Sequence, residues 1–120
     1  MGERHVLLVV ERNADLRQKL TSVMTGILGL EVVEAPDVRA ALAPFTHGRC
    51  PDLALVDLET VTSAEAIAGL KRALCDVPVI GMSLNGGREE AAEVGCDDLL
   101  PKPFLLEELA DVLNRWLPAR

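Results

Sequence analysis

A chain of 120 residues is long enough to close one hydrophobic core and short for two, so a single domain over residues 1–120 is expected. Apolar residues make up 49%, which excludes a disordered chain, and aromatics only 2%, which leaves little to stack bases or line an aromatic ligand pocket. The formal charge of −7 opposes a phosphate backbone and an anionic membrane surface alike, so neither nucleic acid nor membrane is expected as a partner.

In chain order, His5 to Val10 is a short β-branched run ending in charge and predicts a buried strand. Asn13 suits an N-cap, and Leu16, Leu20, Val23, Ile27 and Leu28 share one helical face before Gly29 stops the helix. Leu30 to Glu34 predicts a second strand. Pro36-Asp37 opens a second helix carrying Val38, Ala41, Leu42 and Phe45, and a loop from Thr46 to Cys50 follows.

Leu53 to Val56 is a continuous apolar run bounded by Pro51 and Asp57, the pattern of a strand buried on both faces of a parallel sheet. A polar loop, Glu59 to Ser63, leads to a helix through Ala64, Ile67, Ala68, Leu70 and Leu74. Val77 to Met82 predicts a fourth strand closed by Ser83. Asn85-Gly86-Gly87 is a turn, Arg88 to Val94 a short helix, and Gly95 its stop. Leu99-Leu100 marks a fifth strand broken by Pro101-Lys102-Pro103, and Phe104 to Leu117 a last amphipathic helix with Leu105, Leu109, Val112, Leu113 and Trp116.

Strands alternating with helices at this spacing predict an α/β fold: one doubly wound, five-stranded parallel sheet with five helices, each crossover supplied by a helix. No apolar run is long enough to span a membrane, and Val6 to Val10 gives way at once to Glu11 and Arg12, unlike a signal-peptide core. Cys50, Cys75 and Cys96 are odd in number and widely separated, with no Cys-x-x-Cys and no paired histidines. Reduced thiols in a cytoplasmic chain are expected, with neither a disulfide framework nor a zinc site. His5 and His47 carry no sign of ligation, and Asp97-Asp98 reads as a solvated turn before the fifth strand.

In a doubly wound sheet the carboxyl ends of the strands converge on one edge, where chemistry collects. Four of those ends carry polar residues: Glu11, Asp57, Ser83 and Lys102. The pattern Leu-Val-Val-Glu with Asn-Ala-Asp-Leu-Arg, then Pro-Asp-Leu-Ala-Leu-Val-Asp-Leu, Pro-Val-Ile-Gly-Met-Ser and Gly-Cys-Asp-Asp-Leu-Leu-Pro-Lys-Pro-Phe resembles the receiver domain of bacterial two-component response regulators. The resemblance runs through essentially the whole chain and implies a flavodoxin-like receiver fold like that of the chemotaxis regulators. It implies that Asp57 accepts a phosphoryl group from a histidine kinase, a phosphotransfer protein or a small phosphodonor. Ser83 would donate to the acyl phosphate, and Lys102 would neutralise one of its oxygens. Any catalysis is then limited to transfer onto the chain's own Asp57, and the output passes to a downstream effector.

The resemblance also implies Mg²⁺, held by two adjacent acids after the first strand, the phosphoacceptor and a nearby carbonyl. Here the pair reads Glu11-Arg12, and a guanidinium has donors only, so Arg12 argues against the metal. Glu11, Asp57 and Glu59 are the acids left to hold a cation. Arg12 has two readings, a solvent-facing charge in a degenerate site or a partner of Asp57 that lowers its pKa; the pairing is expected, because those three carboxylates would otherwise repel one another.

Thr60-Val61-Thr62-Ser63-Ala64 replaces the Pro-Gly loop that the resemblance implies, Leu99 stands in place of an aromatic switch, and the Ser83 to Lys102 interval is shorter by about a helical turn. These departures favour a second reading, a pseudo-receiver that binds partners without being phosphorylated. Leu105, Leu109, Val112 and Trp116 mark the last helix as the candidate partner or homodimer surface. A nucleotide-binding enzyme on the same fold lacks its Gly-rich phosphate loop.

Overall fold

The computed structural model describes residues 4–45, 49–61 and 63–118; Thr46, His47 and Thr62 lie outside them. Five parallel strands, β1 (Val6–Val10), β2 (Glu31–Ala35), β3 (Leu53–Asp57), β4 (Val79–Ser83) and β5 (Asp98–Pro101), form one sheet in the order β2-β1-β3-β4-β5. The crossovers contain α1 (Ala14–Gly26), α2 (Val38–Ala41), α3 (Ala64–Ala73) and α4 (Arg88–Glu93), and α5 (Leu106–Trp116) follows β5. The expected doubly wound α/β sheet is therefore present.

The periodicity explains which face each helix covers. Leu20 and Met24 of α1, with Leu109, Val112 and Leu113 of α5, pack on Leu7, Val9, Leu53, Leu55, Ile80, Met82 and Leu100. Ile67, Leu70 and Leu74 of the α3 segment, with Ala41 and Phe45 of the α2 segment, cover Leu8, Val10, Ala54, Val56 and Val79 on the opposite face. Successive strand side chains point to opposite faces, so an uninterrupted apolar run is what two such layers require. Every residue of β3 is buried, Asp57 included.

Several expectations change at element ends. Ile27 sits at the C-cap of α1 and is 65% exposed, because the helix has already ended where the spacing places a last apolar position. Leu105 is the N-cap residue of α5 and is likewise 65% exposed. The partner surface expected of the last helix is not available as drawn. Leu109 and Val112 are buried under the sheet and Trp116 is half-buried, leaving Leu105 and Leu106 outside.

Asp98 is not part of a solvated turn. It opens β5 and is 8% exposed, and its carboxylate accepts from Arg88 Nη1 at 3.0 Å, Arg115 Nη1 at 2.6 Å, Trp116 Nε1 at 2.8 Å and the Leu99 N–H at 2.8 Å. Burial pushes this carboxyl up, but those donors outweigh it and hold the pKa below the usual aspartate value. The stabilisation is present above the ordinary pKa and is lost as pH falls through the depressed one. Asp98→Asn is therefore expected to cost about 2 kcal/mol at neutral pH, read by urea denaturation, with the deficit shrinking in acid.

The thiols also depart from expectation: Cys50 and Cys75 form a disulfide, with Cα atoms 6.1 Å apart, and Cys96 is free. Sequence spacing conceals this pairing, because the segment entering β3 and the turn leaving α3 meet only once the sheet has formed. That turn is unusual, since Cys75 and Asp76 both adopt positive φ, at 61° and 57°.

Candidate functional site

The site is built from the carboxyl ends of β1, β3 and β5. Val10 pairs with Val56 across the β1–β3 ladder, so the next residues, Glu11 and Asp57, arrive side by side at the sheet edge. Lys102 follows β5, and its N–H donates to the Ser83 carbonyl at 2.8 Å, which ties it to the end of β4. Its side chain then crosses the sheet edge, with Nζ 2.7 Å from Glu11 Oε1 and 3.3 Å from Asp57 Oδ1.

All three groups are largely withdrawn from water: the side chains of Glu11 and Asp57 are each 2% exposed and that of Lys102 is 10% exposed. At such burial a missing partner would be costly, and one ammonium shared by two carboxyl groups gives each of the three a polar partner. Burial lowers the Lys102 pKa, but the Glu11 hydrogen bond and the charges of Asp57 and Glu11 outweigh it and hold it above the ordinary lysine value. The remaining Glu11 oxygen, Oε2, accepts the Asn13 N–H at 3.0 Å, and Arg17 Nη1 donates to the Glu11 carbonyl at 2.8 Å.

Asp57 is held from its own loop as well. A 3₁₀ turn, Leu58–Thr60, follows β3. In it the Glu59 N–H donates to Asp57 Oδ1 at 3.1 Å, and the Thr60 hydroxyl donates to the Asp57 carbonyl at 2.7 Å. Burial pushes the Asp57 carboxyl up, but the Glu59 side chain and N–H, with Lys102, outweigh it and hold it below the usual range. The hydrogen bond to Asp57 and burial push the Glu59 carboxyl above the usual glutamate value, opposite in direction to Asp57.

The cleft above these groups measures about 550 Å³ and is lined by Glu11, Arg12, Asn13, Leu16, Asp57, Glu59, Leu84, Lys102, Pro103 and Phe104. Glu11, Arg12, Asp57, Glu59 and Lys102 are thus gathered as the sequence suggested, but two details differ. Arg12 is exposed, and no carboxylate of the described residues lies within ion-pairing distance of it, so the expected Arg12–Asp57 pair is not formed. Glu11 turns into the sheet edge, its neighbour turns outward, and Lys102 takes the place beside Asp57.

Ser83 is buried but does not line the cleft; its Oγ accepts the N–H groups of Asn85 at 3.2 Å and Gly86 at 2.8 Å, capping the turn after β4. Asn13, Thr60, Leu84 and Phe104 were not anticipated. Of these only Thr60 left a signal, since Asp-x-x-Thr is the spacing at which a hydroxyl closes one turn on the first residue's carbonyl.

Comparison with known proteins agrees with this geometry. Residues 7–114 match the family model described as the response regulator receiver domain. The chain is 33% identical over 123 aligned positions to the phosphate regulon transcriptional regulatory protein PhoB of Pseudomonas aeruginosa, covering 93% of this chain and 53% of that protein. It is 34% identical over 121 positions to the transcriptional regulatory protein PrrA of Mycobacterium tuberculosis, covering 95% and 50%. It therefore spans about half the length of these curated relatives.

Among solved structures, the chemotaxis protein CheY4 of Vibrio cholerae superposes with a TM-score of 0.83 at 25% identity, over 96% of this chain and all of that one. The receiver domain of the sensor histidine kinase PA1611 of Pseudomonas aeruginosa, which holds a magnesium ion in its active-site cleft, gives 0.75 at 28% identity, over 95% and 98%. With the family match extending from β1 into α5 and the same five-stranded architecture, this chain belongs to the response regulator receiver domain family.

Proposed function

We propose that Asp57 is the phosphoacceptor of a receiver domain that fills the chain, taking a phosphoryl group from a histidine kinase, a phosphotransfer protein or a small acyl phosphate. The observation that carries this reading is an ionised carboxylate at the carboxyl end of β3, held by Lys102 at the floor of an open cleft. Oδ1 accepts from both Lys102 and the Glu59 N–H, which leaves Oδ2 as the attacking oxygen. The relatives named as transcriptional regulators support an output through an effector rather than through direct nucleic-acid binding by this acidic chain.

Magnesium in the family manner does not fit these side chains. Arg12 occupies the position of a ligand, Lys102 stands between Glu11 and Asp57, and no three acids, histidines or cysteines among the described residues converge on one point. No step is therefore routed through a metal.

The test is incubation with a small acyl phosphate, with and without Mg²⁺, followed by intact mass measurement. One added phosphoryl group is expected on the wild-type chain and none on Asp57→Asn. Failure of the wild-type chain to gain one under any condition would overturn the reading and leave a pseudo-receiver that acts by binding alone.

A further inference from the structure

Among the described residues the cleft holds two cations, and of these Lys102 alone is ion-paired. Lys102 is engaged by Glu11 and Asp57, whereas Arg12 is an exposed residue lining the same cavity, with no carboxylate of the described residues within ion-pairing distance. An unpaired arginine would ordinarily be a solvated surface charge, but the backbone on either side of this one is fixed. The Glu11 N–H donates to the Ala35 carbonyl at 3.0 Å, Arg17 Nη1 holds the Glu11 carbonyl at 2.8 Å, and the Asn13 N–H is bound by Glu11 Oε2 at 3.0 Å. Arg12 thus lines the mouth of the cleft on a backbone held by three hydrogen bonds of its neighbours.

The charge balance gives this placement a consequence. A phosphoryl group approaching Asp57 brings two negative charges to a site that already holds Glu11, Asp57 and Glu59. Lys102 is already shared between two of those acids and cannot offset the addition alone. A guanidinium presents five donors in a planar fork that matches two phosphoryl oxygens, and it needs no carboxylate ligands to stay in place. Phosphoryl transfer rests mainly on positioning and on cations at the non-bridging oxygens, so an arginine on a held backbone at the cleft mouth can supply the charge that a bound metal otherwise would.

We propose that Arg12 is the phosphoryl-binding residue of this site and that, with Lys102, it supports phosphorylation of Asp57 without a divalent metal. This rests on the reading of Asp57 as phosphoacceptor. In the step, Asp57 Oδ2 forms a bond to phosphorus while the bond from phosphorus to the acyl oxygen breaks, and the acyl group leaves as a carboxylate carrying the electron pair. No proton moves, and the total charge is unchanged.

The experiment measures the rate of adduct formation with a small acyl phosphate in a chelator and in Mg²⁺, for the wild-type chain and for Arg12→Ala, Arg12→Lys and Arg12→Asp. The wild-type rate is expected to be the same in both conditions. Arg12→Ala should lower the chelator rate about a hundredfold, Arg12→Lys should recover part of it, and Arg12→Asp should make the reaction dependent on Mg²⁺. A merely structural role for Arg12 would not move the metal dependence. A wild-type reaction that needs Mg²⁺ and is indifferent to Arg12→Ala would overturn this inference and leave Asp57 as the acceptor, whereas absence of any wild-type adduct would overturn both.

Discussion

Lys102→Met is expected to destabilise the domain by about 3 kcal/mol at neutral pH, because it removes the only cation among the described residues in contact with two buried carboxylates. Methionine fills much of the space left by the aliphatic stem, so the loss is chiefly electrostatic. The two buried carboxyl groups would then lie side by side with no ammonium between them, and leaving them without that partner costs stability.

The same contacts fix how the penalty depends on pH. Asp57 has a lowered pKa, so its contribution is present above the ordinary value of 3.8 and is lost as pH falls through the depressed one. Lys102 has a raised pKa, so its contribution is present below the ordinary 10.5 and is lost as pH rises through the elevated one. The gap between wild-type and variant stabilities should therefore be widest between those ordinary values and should narrow on both sides. Denaturant titrations at neutral and acidic pH measure it, and a gap that stays constant into acid would show that the variant fails for another reason.

Breaking the Cys50–Cys75 bond is the second large effect. Its partners are 25 residues apart in sequence, and closing a loop of that length restricts the unfolded chain by about 3.5 kcal/mol at 25 °C in the chain-entropy account. For a domain of this size that corresponds to a fall in Tm of roughly 14 °C on adding reductant. A Cys50→Ser/Cys75→Ser double variant should melt at the lower temperature whether or not reductant is present. The third thiol, Cys96, should react slowly, since burial and the neighbouring Asp97 push it up to about 11. Identical melting of the wild-type chain with and without reductant would contradict the bond.

Much of this architecture was legible because the signals were local. Leu53 to Val56 is apolar without a break, as a strand covered on both faces must be, and Gly29 and Gly95 stand at positive φ where the spacing places helix stops. Asp57 and Lys102 could be brought together from sequence because a parallel sheet delivers the ends of its strands to one edge.

What escaped was decided by direction and by contacts far apart in the chain. Arg12 and Glu11 are adjacent, and nothing local says which turns inward; the register with β3 selects Glu11. Asp98 looked solvated beside Asp97, but Arg88, Arg115 and Trp116 reach it from two different helices. The cysteine pairing depended on the arrival of α3 at the segment entering β3. Ile27 and Leu105 were misplaced because helix ends are set by caps, which an apolar spacing does not register.

The central claim is that Asp57 itself forms the acyl phosphate. Treating the phosphorylated chain with borohydride reduces this mixed anhydride to an alcohol, and peptide mapping then locates the altered residue. Conversion of Asp57 to homoserine, with Glu11 and Glu59 unchanged, is the expected result. Reduction at another acid, or none at all in a chain whose mass shows the phosphoryl group, would contradict it.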